Sequence, residues 1–332
     1  LARANVDVDI LMFTREKYPF YQRTRLGELL SDNSTIEELI IHDLEWYAER
    51  EIDLWLETKI EEINPIRKIV KTKSGRELFY EKLLLAPGAK PLLPPIKGLG
   101  KGNVFSLRTI DDVQKIKSCL SDVKDAVVVG GGLLGLESAF ALERRGINVT
   151  VVEALPILMG KQLDETGSKY VESRLEEIGI DFRLNTRVEE FSGGGTVSSA
   201  VFSTGELIQT DMVIISAGVT PRVELAETAE LETSRGIIVN EYLRTSNQDI
   251  FAAGDAIEQD GQCYGIWPPA REQGRVAGKN LIGGEEKYDG SLSYFKLKVA
   301  GIDMISAGKR DRAEAEKVLI DEKESDKIYK KF

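Results

Sequence analysis

Thiol and imidazole chemistry has almost nothing to work with in this chain. Its 332 residues include two cysteines, Cys119 and Cys263, and one histidine, His42. The cysteines are far apart and form no CxxC pair, which argues against a disulfide framework, a zinc site or a redox dithiol and fits a reducing cytoplasm. One histidine cannot build a His-rich metal site. The apolar spacing of Ile36, Leu39, Ile40, Leu44 and Tyr47 predicts a helix over 35–50, with His42 on its surface. No apolar run approaches the roughly 18 residues that span a bilayer, so no membrane segment is expected. Positive charge is also short. The net charge is -11, and nucleic-acid binding is disfavoured because phosphates call for a basic footprint. The N-terminal LARANVDVDI has neither an initiator Met nor a basic-then-apolar targeting pattern.

What the chain does have is core material: 42% hydrophobic against 30% charged residues, enough for two domains and a fragment. Apolar strand-like runs alternate with amphipathic stretches, predicting an α/β architecture with parallel sheets. DVDILMF reads as a strand. IDLWLETKIEEINP and KIVKTKSGRELFYEKLLLAPG read as strands and a hairpin turning at Ser74-Gly75. The Pro/Gly-rich run 85–102 is a natural domain boundary. Residues 109–125 predict a short helix, 164–178 a long one and 180–184 a strand. Gly193–Gly195 reads as a hairpin loop, because no helix follows to complete a phosphate site.

The sharpest signal is DAVVVGGGLLGLESAFALERRGINVTVVEALP. A buried strand over 126–129 feeds Gly130-x-Gly132-x-x-Gly135, and a helix begins at once near Leu133 and Leu134. Gly130 permits the tight turn, Gly132 lets backbone approach a pyrophosphate, and Gly135 allows close helix–strand packing. Unpaired N–H groups at the helix start suit the phosphates. The next strand ends in Glu153, roughly twenty residues on, where a carboxylate accepts from a ribose 2′-hydroxyl. No Arg or Lys follows it at once, so NAD is favoured over NADP.

A second signal is TSNQDIFAAGDAIE, in which Gly254-Asp255 closes a strand at the end where open α/β sheets bind ligands. Taken alone, Asp255 could equally be a helix cap. The order LLLAPGAKP, GGGLLGLE, IISAGVTPR, TSNQDIFAAGD resembles the pyridine nucleotide–disulfide oxidoreductase superfamily. Within it the chain is most similar to the rubredoxin reductase, ferredoxin reductase and nitrite reductase large-subunit branch. YPFYQRTRL resembles that branch's YxRPxL segment, and WPPAREQG its WxxAxxQG pattern.

The resemblance implies a two-dinucleotide-binding-domain flavoprotein. A Rossmann-like FAD domain would comprise 1–108 and 237–290, an inserted Rossmann-like NAD domain 109–236, and a small C-terminal α+β fragment 291–332. Carried over residue by residue, FAD would meet Glu16, Arg23, Ile60, Ala86, Gly88, Arg108, Gly254, Asp255 and Trp267. The alternative for Trp267 is a plain core aromatic. NAD would meet Gly130, Gly132, Leu133, Leu134, Gly135, Glu153 and Gly218, with Glu137 close to the nicotinamide.

Three departures bear on function. The family's first GxGxxG is absent; the resemblance implies about twenty residues before Leu1, or else a chain that does not hold FAD in the usual way. Thr24 and Glu28 replace the Pro and Lys of the ferredoxin reductases. No redox cysteine stands in YQRTRLGELL, where disulfide reductases and NADH peroxidases carry theirs, and both cysteines read as inert. The expected activity is therefore hydride transfer from NADH to FAD. Electrons would then leave for a small electron-carrier protein or a linked redox domain, with no nucleic acid or membrane partner and a homodimer left open. Lys296, Lys298, Lys309, Arg310 and Arg312 offer a basic cluster that would steer an acidic carrier, or else an ordinary solvated face. The rival readings are an NADH oxidase or peroxidase-like enzyme, and a vestigial nucleotide-binding or redox-sensing module.

Overall fold

A computed structural model describes residues 8–308, 319–323 and 328–332. The chain divides into two compact units. One comprises the described residues up to Gln22, Glu37–Lys90 and Val219–Ser293; the other comprises Arg23–Ile36, Pro91–Gly218 and the described residues from Tyr294 onward. One passage between units, Lys90 to Pro91, falls inside the Pro/Gly-rich run at 85–102. Relative to the expected bounds, Arg23–Ile36, residues 91–108 and the described C-terminal stretch lie in the unit that carries the Gly130 motif, and residues 219–236 lie in the other.

That unit is built on a five-stranded parallel sheet in the order Ile180–Arg183, Asn148–Val152, Asp125–Val129, Met212–Ile215, Val104–Ser106. Its central strands are nearly all aliphatic because both faces are covered. A three-stranded antiparallel meander, Val188–Ser192, Ser199–Phe202 and Leu207–Gln209, packs Phe191 and Phe202 against Val127, Val129, Val152, Val213 and Ile215. Phe191 is wholly buried, and truncating it to Ala would cost about 3–5 kcal/mol. Gly193–Gly195 forms the loop between the first two meander strands, as expected.

The described C-terminal residues add two hairpins, Tyr294–Val299 with Ile302–Ala307 and Ile320–Lys323 with Ile328–Lys331. Their fastenings are polar. Arg174 Nε donates to the Ala300 carbonyl at 2.7 Å and Ser306 Oγ to the Gln162 carbonyl at 2.8 Å. The Tyr329 hydroxyl and Lys331 ammonium reach Asp164 at 2.7 and 3.0 Å. Asp164 also caps helix Glu165–Glu176 by accepting from the Gly167 N–H. Burial opposes its ionisation, but these three donors outweigh burial and hold its pKa down at about 2.

The other unit is assembled from parallel pairs: Ile10–Phe13 with Ile52–Trp55, Leu83–Leu85 with Ile250–Ala252, and Ile237–Ile238 with Ile257–Glu258. An antiparallel sheet of Ile60–Asn64, Ile69–Thr72 and Glu77–Phe79 turns at Ser74-Gly75, where Gly75 has φ +89°. Ile63, Leu85, Leu243, Ile250, Ile257 and Val276 share one core, the last from helix Trp267–Leu281.

The expected helix over 35–50 is two short helices, Ile36–Leu39 and Leu44–Ala48. Between them the backbone is claimed from a distance: the Gln22 N–H donates to the Leu39 carbonyl and the Ile41 N–H to the Phe20 carbonyl, each at 2.9 Å. Asp43 then restarts the helix by accepting from the Trp46 N–H. His42 lies in this break rather than on a helix surface, its ring stacked 3.8 Å from that of Trp46. No helix among the described residues is long and apolar enough to cross a membrane.

Candidate functional site

In the parallel-sheet unit, the strand Asp125–Val129 ends in a turn that only glycine can make. Gly130 has φ +115°, and a Cβ there would lie 2.3 Å from the Ser216 carbonyl oxygen. Its N–H donates to the Val152 carbonyl at 2.8 Å, tying the turn to the neighbouring strand. Gly135 lets helix Leu133–Glu143 press on the turn; a Cβ there would come within 1.9 Å of the Gly130 oxygen. Gly132 differs, since a Cβ would meet nothing within 4 Å. It is the helix N-cap and supplies no side-chain cap to the first-turn N–H groups of Leu133, Leu134 and Gly135. Open space beside uncapped donors at the positive end of a helix fits a pyrophosphate.

Glu153 stands at the tip of the adjacent strand. One carboxylate oxygen accepts from the Gly131 N–H at 2.6 Å and the other from the Leu155 N–H at 2.8 Å. Two backbone donors fix the carboxylate beside the turn with capacity left for a hydroxyl donor. The segment after it is strapped down: the Met159 N–H donates to the Gly131 carbonyl at 2.9 Å, and a Cβ on Gly131 would strike buried Leu158 at 2.6 Å. Neither Gly131 nor Leu158 was picked out by the motif. Gly131 stands at an "x" position, and the side chain that approaches it closely comes from the next loop.

Glu137, on the second turn of the same helix, packs against Leu26–Leu30, where a Cβ on Gly27 would lie 3.4 Å from the Glu137 Cβ. Burial first, and the Glu28 carboxylate second, push its pKa up to about 7. Gly218, with φ +110°, also has open space at its α-carbon. Arg23 and Arg108 are brought together here, Arg23 Nη1 donating to the Arg108 carbonyl at 2.9 Å. Asp112 accepts from the Arg108 and Thr109 N–H groups as part of a capping box.

In the other unit, the buried strand Ile250–Ala252 leads into a 3-10 turn, Gly254–Ala256. Asp255 sits inside that turn and caps no long helix; the cap position of Trp267–Leu281 is Ile266. Gly254 has φ +84°, and its N–H donates to Gln273 Oε1 at 2.8 Å. Gln273 is buried and donates in turn to the Tyr288 hydroxyl, which pairs with Ser291. Gln273 belongs to the WPPAREQG segment, but its hold on Gly254 was not foreseen. Trp267 is no core aromatic: it opens the helix at 43% exposure with the Arg271 guanidinium 5.6 Å from its ring.

Glu16 accepts from the Tyr21 hydroxyl at 2.6 Å, just past the strand Ile10–Phe13. Ile60 opens the antiparallel sheet opposite Thr72. Ala86 is exposed between Leu83–Leu85 and Ala89–Pro91, and Gly88 (φ +69°) offers its carbonyl to the Arg222 N–H.

Burial disfavours the thiolate at both cysteines. Cys119 lies just beyond helix Ile110–Lys117, not within it, and burial pushes its pKa up. Burial, with Glu258 second, does the same to Cys263. Lys296 and Lys298 are exposed on Tyr294–Val299, while Lys309, Arg310 and Arg312 lie outside the described residues.

The profile of the pyridine nucleotide-disulphide oxidoreductase family matches residues 1–274. The chain belongs to that family. Among pyridine nucleotide-disulphide oxidoreductases it is 35% identical over 333 residues to the nitrite reductase (NAD(P)H) of Bacillus subtilis, covering 100% of this chain and 41% of that protein. It is 33% identical over 311 residues to the NADH-rubredoxin oxidoreductase of Clostridium acetobutylicum, covering 94% of this chain and 78% of the relative. A solved ferredoxin reductase from Rhodopseudomonas palustris superimposes with TM-score 0.91 at 27% identity, over 99% of this chain and 83% of that one. The chain thus spans less than half of the Bacillus relative. The expected fold class, a mixed α/β oxidoreductase of two Rossmann-like units, agrees with these likenesses.

Proposed function

We propose that this chain takes a hydride from NADH onto FAD and passes the electrons to an acceptor outside it, with no cysteine in the path. The observation that carries this reading is the Gly130 turn, an uncapped helix start beside a fixed carboxylate. The dinucleotide pyrophosphate would rest on the N–H groups of Leu133, Leu134 and Gly135. Glu153 would accept from an adenosine ribose hydroxyl, and its charge repels a 2′-phosphate, so NADH is preferred over NADPH. In the other unit Asp255 would accept from the FAD ribityl chain. Gly254 would keep backbone close to it, and Glu16, Ile60, Ala86, Gly88 and Trp267 would complete the contacts.

FAD, when bound, supplies the conversion between two-electron and one-electron chemistry. The protein's share is orientation, since holding reactants in a near-attack geometry removes most of the entropic barrier and no side chain need form a bond. Burial disfavours the thiolate of both cysteines, which favours carrier reduction over a thiol-dependent oxidase or peroxidase. The relatives' names point to two kinds of acceptor, a rubredoxin-like carrier and a nitrite-reducing centre joined to the same assembly. The cytoplasm is the proposed location, and a homodimer is compatible with this reading.

The test is stopped-flow absorbance on the purified protein. Anaerobic NADH should bleach the flavin, and rubredoxin or ferredoxin added afterwards should restore its colour faster than air does. A protein that purifies without flavin, or whose flavin NADH leaves unchanged, contradicts the proposal. Reoxidation by air outpacing every carrier would turn it toward the oxidase reading.

A further inference from the structure

Among the described residues, Glu137 is an ionisable side chain with no counter-charge. It stands four residues along from Leu133, so about 6 Å of helix separates it from the phosphate-binding end. Among the described residues no hydrogen bond or ion pair reaches it. The segment packed over it, Leu26–Leu30, brings a second carboxylate, Glu28, rather than a cation.

The nearby positive charges are already directed elsewhere. Arg25 pairs with Glu28 at 2.7 Å, and Arg23 donates to the Arg108 carbonyl. On the strands packed against the helix, Asp125 and Asp181 sit at the N-terminal ends, away from the glycine turn, and Arg183 is bound to Glu206 at 3.0 Å. On Tyr294–Val299, Lys296 and Lys298 alternate with buried Leu297 and Val299, which places them on the exposed face. The acidic group on the helix itself, Glu143, lies at its far end.

A carboxylate in this position loses stability whenever more negative charge arrives, and a dinucleotide delivers two phosphates one helical turn away. Resting on the NADH reading above, we infer that dinucleotide binding draws a proton onto Glu137, so that the phosphates settle beside a neutral acid and binding weakens as the solution becomes alkaline. The free protein is set for this, because burial and Glu28 already bring the Glu137 pKa to about 7. The sign follows from linkage: phosphate charge raises the pKa further, so the complex holds more protons than the free protein near neutrality. At this distance and an intermediate dielectric, affinity should fall roughly tenfold between the acid and alkaline sides of neutrality.

The experiment is isothermal titration of the purified protein with ADP-ribose, which carries both phosphates and no nicotinamide charge. Titrations at pH 7 in PIPES and in Tris, buffers of different protonation enthalpy, report proton uptake directly. The expected result is buffer-dependent heat corresponding to uptake of a fraction of a proton, with the tenfold fall in affinity across neutrality. Glu137→Gln should bind at all pH values with buffer-independent heat. Glu28→Gln should move the fall to lower pH, because the like charge is gone. Binding with no proton uptake, or uptake that survives in Glu137→Gln, overturns this inference and leaves the NADH site intact. ADP-ribose that does not bind at all overturns the NADH site itself.

Discussion

The two glycine turns of this molecule are held by opposite means. At Gly130–Gly135, main chain meets main chain, and added Cβ atoms would lie 2.3 and 1.9 Å from carbonyl oxygens. At Gly254-Asp255, a Cβ would meet only the Ala270 methyl at 3.7 Å, and the turn is held by the buried Gln273–Tyr288–Ser291 chain. The first turn is fixed by hard sterics. The second depends on a side-chain network, and such a network tolerates variation in the turn but fails if one member is lost. The comparison shows why one turn announces itself as a spaced pattern and the other needs its surroundings to be understood.

The largest expected effect is on the steric turn. Gly130→Ala forces a side chain into φ +115° against the Ser216 carbonyl and should cost about 3 kcal/mol of stability, read by urea denaturation, with NADH binding lost. A variant with native stability would break the contrast between the turns. Next comes Gln273→Leu, which leaves the Gly254 N–H without its acceptor. A cost of about 2 kcal/mol and a lower flavin content after purification are expected, while ADP-ribose binding stays unchanged. Equal damage to both ligands would mean that the turns do not act independently.

Glu153→Ala removes the acceptor of the Gly131 and Leu155 N–H groups together with the ribose partner, so NADH affinity should drop about tenfold in a fluorescence titration. Glu153→Gln, which keeps one acceptor oxygen, should lose less. The smallest effect is at Asp164, the cap of helix Glu165–Glu176. Its folded pKa of about 2 lies below the roughly 3.9 of an unfolded Asp, so its contribution is present above pH 4 and is lost as pH falls through about 2. After solvent screening, Asp164→Asn should cost about 1 kcal/mol at pH 7 and almost nothing at pH 2, measured by thermal melts, with NADH affinity unaffected.

What could be read in the sequence followed the range of the forces involved. The Gly130 turn, its strands and the Ser74-Gly75 hairpin are local, so residue type and spacing carried them. The break at Ile40–Asp43 is not local: periodicity predicted one helix, but the main chain of Phe20 and Gln22 claims the bonds that would have continued it. Membership of Arg23–Ile36 in the Gly130 unit was hidden for the same reason. Arg145 donates to the Leu30 carbonyl at 2.7 Å and, with Lys117, pairs with Asp32, contacts that no local pattern encodes. At the candidate site the motif named Glu137, yet its approach to Glu28 and the strap of Leu158 over Gly131 arise only in three dimensions.

The central claim is that electrons pass from NADH through flavin without a thiol. It is tested most directly by anaerobic titration of the Cys119→Ser/Cys263→Ser double variant with NADH, followed through the visible flavin bands. The account predicts complete bleaching at one NADH per flavin, at the rate of the unaltered protein. A flavin that stays oxidised in the double variant while bleaching in the unaltered protein would contradict it.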